Sequence, residues 1–126
     1  MKIVSLIARY LLGLVFVVFG LNGFMHFIPM GPMPTGHAGD FLGAAFATHY
    51  MVPVYGLQLI GGILLLANRY VPLGLTLLAP VIVNIILFHA LMAPTGLPLA
   101  TIVVVLWILV FWSVRQAFEG ILQQRA

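Results

Sequence analysis

The chain of 126 residues predicts an all-α fold, an integral membrane four-helix bundle with no soluble domain beside it. Charge, hydropathy and length carry that reading. Only seven side chains are charged, five Lys or Arg and two Asp or Glu, where water-soluble domains use about a quarter of their residues this way. Hydrophobic residues make up 63% of the chain and mean hydropathy is +1.22, so the polar surface needed to cover a soluble core is missing. A bilayer core of about 30 Å takes roughly 20 apolar helical residues per crossing, which leaves room for four spans and little else. Residues 1–126 therefore form a single membrane domain.

Span one is expected over residues 3–27, an apolar run interrupted only by Ser5, Arg9, Asn22 and His26. Lys2 and Arg9 also resemble the basic start of a cleaved leader, but the apolar run is longer than a leader's core and no small-x-small site follows promptly. An external loop is expected over residues 28–50. It opens with IPMGPMPTGHAG, whose prolines and glycines neither continue a helix nor tolerate hydrocarbon. Asp40 is a plausible N-cap for a short interfacial helix running to His49.

Span two is expected over residues 51–67, just long enough to cross with Tyr50 and Tyr70 marking the two interfaces. Gly56, Gly61 and Gly62 let a neighbouring backbone approach. Asn68, Arg69 and Tyr70 form a polar turn, and span three follows over residues 71–92. Pro80 within it removes the backbone bond to the Thr76 carbonyl and is expected to kink the helix. APTGLP is a second Pro/Gly turn, span four covers residues 99–118, and EGILQQRA is a short polar tail.

Lys2, Arg9, Arg69, Arg115 and Arg125 all fall on the side of the termini and the central turn, and the two other loops carry no Lys or Arg. The bias of basic residues predicts a multi-pass protein with both termini in the cytoplasm and the Pro-rich loop outside. Five scattered basic residues make no phosphate-tracking patch, so nucleic acid is not an expected partner despite a pI near 9.8. The expected surroundings are the lipid bilayer and a membrane protein partner or a second copy of the chain. The sequence contains no cysteine, which excludes disulfides, thiolate metal sites and thiol redox chemistry on this chain.

Polar residues inside the spans are the candidate ligand-binding set: Asn22, His26, Gln58, Asn84 and His89. At 1.5 Å per residue, Asn22, Gln58 and Asn84 come within roughly 7 to 14 Å of the outer boundary. Asn22 and His26 share a helix face, whereas Asn84 and His89, five apart, diverge. Two readings stand side by side. These groups are hydrogen-bonding glue between helices, or they line a pocket. A quinone suits the inventory, because amides and imidazoles can donate to its carbonyl oxygens while Phe24, Tyr55 and Phe88 supply an aromatic slot. Haem held by His26 and His89 is demanded by no spacing. His26, His37, His49 and His89 show no i, i+3 or i, i+4 pair, so no metal site is expected. Asp40 and Glu119 fall outside the spans, which argues against proton-driven transport. The ending of span one, Asn22, His26 and Pro29, is faintly echoed in span three by Asn84, His89 and Pro94.

The stretches ARYLLGLVFVVFGLNGFMHFIPMGPMP and GLQLIGGILLLANRYVPLGLTLLAPVIVNIILFHA resemble the DoxX or DoxX-like family of small four-helix bacterial membrane proteins. The resemblance covers nearly the whole chain and is carried by GLNGFMHFIPM, by GGILLL with Arg69 just after it, and by VPLGLTLLAPVIVNIILFH. It implies the fold, a location in the bacterial inner membrane and a link to quinone-dependent membrane oxidoreductase complexes. Gln58 stands where members often carry an acidic residue, and Gly23 where some carry a basic one. The function expected on this footing is an accessory or anchoring subunit of a membrane redox complex, more a non-catalytic subunit than a free-standing enzyme. A quinone-binding oxidoreductase subunit and a small transporter or channel are the alternatives.

Overall fold

The computed structural model describes residues 2–29 and 31–125; Met30, in the expected outer loop, lies outside the described residues, as do Met1 and Ala126. Five α-helices follow in order: α1 (Lys2–Met25), α2 (Gly36–Ala47), α3 (Met51–Ala67), α4 (Val71–Leu91) and α5 (Leu97–Ser113). A 3-10 turn (Pro94–Gly96) precedes α5 and a 3-10 segment (Arg115–Leu122) follows it, and there is no strand among the described residues. Three helical stretches, α1, α4 and Pro94–Ser113, are long and apolar enough to cross a membrane. α3 has 17 residues and qualifies only as a bent pair with α2, from which it turns by 86°, giving up to four crossings.

The helices start where their sequences permit. Proline stands second in α4 (Pro72) and in α5 (Pro98), and third in α3 (Pro53), positions whose N–H has no intrahelical acceptor. Pro98 thus draws the last helix back to Leu97, two residues before the expected start. The expected end at 118 is also too late. Ser113 donates to the Val110 carbonyl at 2.6 Å and Arg115 to the Trp112 carbonyl at 2.6 Å, and the chain tightens into the 3-10 segment. Phe118 then folds back against Phe111, ring centroids 5.0 Å apart.

The loop helix differs as well. α2 begins at Gly36 with Thr35 as N-cap in extended conformation, so Asp40 lies inside the helix instead of capping it. The Pro34 carbonyl lies where a side chain on Gly39 would stand, an approach that glycine alone permits. The helix stops at Ala47. His49, at φ 59°, sits in the turn that redirects the chain into α3. α4 runs as one helix through Pro80.

Neighbouring helices run antiparallel, held by a core of Leu12, Leu65, Leu75, Leu78 and Val110. The closest approaches are made by glycine. A β-carbon on Gly62 would lie 2.8 Å from the Gly13 carbonyl in α1, and one on Gly61 would lie 3.3 Å from the Gly74 carbonyl in α4. The adjacent pair, about 100° apart around α3, therefore opens two different faces to two different neighbours. Trp107 of α5 donates its indole N–H to the Leu75 carbonyl of α4 at 3.0 Å and stacks on Phe111.

Large apolar side chains cover the outside of every long helix, among them Leu14, Ile60, Leu73, Val83 and Ile108. Only 33% of the most apolar window is buried in α1 and α4, and 17% in the last span. Water would not tolerate that surface; hydrocarbon requires it. The chain is thus an all-helical, multi-pass membrane protein. One end of the bundle carries the start of α1, the α3–α4 turn and the end of α5, and the other carries α2 and the α4–α5 turn.

Candidate functional site

The five polar residues expected to form a site occupy three settings. Asn22 and Gln58 are buried, 6% and 8% exposed, on the facing sides of α1 and α3. A β-carbon on Gly20 would lie 3.3 Å from the Gln58 Cβ, which puts these two positions at one level of the seam. Asn22 is two residues further along α1, about 3 Å of helix rise. The two amides thus share a short section of one interface.

Their roles differ. The Asn22 carbonyl accepts from the His26 N–H at 2.8 Å, and its side-chain Oδ1 accepts from the Ile28 N–H at 2.7 Å. Asn22 therefore closes α1 and ties down the chain that leaves it. His26 is that exit point: at φ 53° it adopts the left-handed conformation that ends the helix, and its side chain is exposed. Gln58 has no hydrogen-bond partner for its carboxamide among the described residues, and its polar atoms are not fully sealed. Tyr55, one turn away, packs on Gly23 and meets Phe24 edge-on at 6.0 Å.

Asn84 and His89 stand apart from this pair. Asn84 is exposed on α4 and donates to the Pro80 carbonyl at 2.8 Å. His89 donates from Nδ1 to the Ala93 carbonyl at 3.1 Å, lies edge-on to Phe88 and covers Gly96, so it fixes the α4–α5 turn. Phe88 in turn meets Phe41 of α2, ring centroids 5.7 Å apart. The expected aromatic slot is thus divided between two clusters. No group of three or more His, Asp or Glu that could hold a metal occurs among the described residues.

Two cavities lie elsewhere in the bundle, and none of the five residues lines them. One, of about 550 Å³, is an apolar groove between α4 and α5 that includes Ala79, Ile82, Val83, Thr101, Val104 and Trp107. The other, of about 750 Å³, lies at the termini end and is lined by Lys2, Arg9 and Arg115 among others. Sequence reasoning used those basic residues as orientation signals and, for Lys2 and Arg9, as a possible leader start, not as parts of a site. Arg9 does more: it donates to the Leu65 carbonyl across the seam and lies over the Tyr10 ring, 4.6 Å from its centroid. An arginine seven residues into an apolar helix was the available signal, since such a cation needs a fixed partner. Comparison of the chain with protein-family models, with curated proteins and with solved structures finds no match.

Proposed function

We propose that the chain is a DoxX-like protein that crosses the bacterial inner membrane four times with both termini cytoplasmic, and that it serves as an accessory, anchoring subunit of a quinone-linked redox complex. The observation that carries the reading is Asn84. Its carboxamide is exposed about 10 Å from the Leu91 end of α4, and the bond to the Pro80 carbonyl leaves its oxygen and second N–H without a partner among the described residues, at a depth where polar groups facing lipid are costly. Val83 beside it lines the α4–α5 groove, so a partner helix seated in that groove would cover both the apolar channel and the amide. The test is purification of the tagged chain in mild detergent with mass spectrometry. A redox subunit co-purifies with the native chain and is lost from Asn84→Leu, whose exposed position leaves the fold intact. A chain that purifies alone overturns the proposal.

A second reading rests on Gln58. A largely buried carboxamide without a partner among the described residues, beside Tyr55, is suited to a quinone carbonyl reaching the seam from the lipid. Binding of a ubiquinone or menaquinone analogue that Gln58→Leu abolishes supports direct quinone binding; binding untouched by that change removes Gln58 from any such site.

A further inference from the structure

We propose that the cavity at the termini end is a binding site for the phosphate headgroup of an anionic phospholipid. Its wall brings together three cations from the two ends of the sequence: Lys2 at the start of α1, Arg9 about two turns further on, and Arg115 just beyond α5. No Asp or Glu lines it among the described residues. Asn68 and Ser113 add neutral polar groups to the same wall. Three like charges around one cavity of about 750 Å³ repel one another unless an anion lies between them.

The two arginines are held in place before any ligand arrives. Arg9 is fixed by the Leu65 carbonyl and the Tyr10 ring. Arg115 is fixed by the Trp112 carbonyl, with its guanidinium 4.2 Å from the centre of the Trp112 ring. Each guanidinium has five N–H donors, so one hydrogen bond to a carbonyl leaves the others for phosphate oxygens. Fixed forks bind a phosphate at lower entropic cost than free side chains do.

The surroundings select a lipid over a free ion. Leu6 and Val71 add apolar side chains to the wall, and the neighbouring Ile3 and Ile7 are exposed on α1. A phosphate seated among the cations would let its acyl chains run down those apolar faces. Basic pockets between transmembrane helices at the membrane boundary recognise anionic headgroups by this division of labour.

Native mass spectrometry of the full-length protein in detergent tests the assignment, with phosphatidylglycerol, phosphatidylcholine and inorganic phosphate as the three probes. Phosphatidylglycerol is retained in preference to phosphatidylcholine, and inorganic phosphate at millimolar concentration does not displace it. Lys2→Gln and Arg115→Gln each weaken retention about fivefold, and the double variant compounds the loss. Arg69→Gln, a cation at the same end but outside the cavity wall, leaves retention unchanged. Equal retention of the two lipids, displacement by inorganic phosphate, or an equal loss in Arg69→Gln overturns the proposal. Lys2 and Arg115 are both exposed and outside the core, so their replacement does not unfold the chain.

Discussion

Gly13 of α1 and Gly62 of α3 lie backbone to backbone: a β-carbon on Gly62 would sit 2.8 Å from the Gly13 carbonyl and 2.9 Å from the Val17 nitrogen. Backbone atoms on two packed helices cannot move aside as a side chain can. Gly62→Ala is therefore expected to lower stability by about 1 to 3 kcal/mol, the usual range for overpacking. Gly56→Ala is the contrast, because nothing lies within 4 Å of its β-carbon. There the change is neutral or stabilising by up to about 1 kcal/mol, from helix propensity alone. Thermal unfolding of both variants in detergent checks the pair, and equal effects would refute the seam as the close contact.

Arg9 joins α1 to the end of α3 through the Leu65 carbonyl. Asn68 also donates to that carbonyl from its backbone at 3.3 Å, so the arginine adds a charged donor to the helix terminus. Arg9→Gln is expected to cost about 1.5 to 3 kcal/mol, the range for a hydrogen bond from a charged group. Arg9→Lys should fall between the two, since an ammonium supplies the charge without the fork. Chemical unfolding midpoints measure the order.

The absence of cysteine makes the proposed topology directly readable. Lys2, Arg9, Arg69 and Arg115 lie at the same end of the helices, the arrangement that the positive-inside rule places in the cytoplasm. A single cysteine at His37 should react with a membrane-impermeant maleimide in intact cells. One at Arg69 should react only after permeabilisation. The reverse pattern would invert the chain.

Most of the architecture was legible because it follows from composition and helix punctuation. Length and hydropathy anticipate the long apolar helices, and Asn68 to Tyr70 and Pro94 to Gly96 mark two of the turns. Boundaries were legible only to within a few residues. The end of α5 depends on Ser113 and Arg115 capturing carbonyls, and the start of α2 on a close approach between Pro34 and Gly39; neither follows from periodicity. The candidate site was the least legible part. Depth along a helix put Asn22, Gln58 and Asn84 at one level, but the facing of each helix decides whether they meet. α4 turns Asn84 outward because Gly74, Leu75, Leu78, Val81 and Ile82 take the inner face. His26 and His89 read as ligands by residue type, whereas their local backbone makes one a helix terminator and the other a turn brace.

Asn22 and Gln58 are both buried amides on one seam, yet replacing them should have opposite consequences. The Ile28 N–H depends on Asn22 Oδ1, so Asn22→Leu strands a partly buried donor and loosens the exit from α1. The cost is about 1 to 3 kcal/mol, the penalty for an unmatched buried group. Gln58 has no hydrogen-bond partner among the described residues, so Gln58→Leu replaces a largely buried amide with an apolar side chain of nearly the same volume. Stability should be unchanged or rise. Unfolding midpoints of the two variants in ligand-free detergent decide the matter: equal destabilisation would show that both amides act as glue between α1 and α3. A stable Gln58→Leu protein leaves Gln58 as the position on the seam whose polarity the fold itself does not require, and that is where a ligand should be sought.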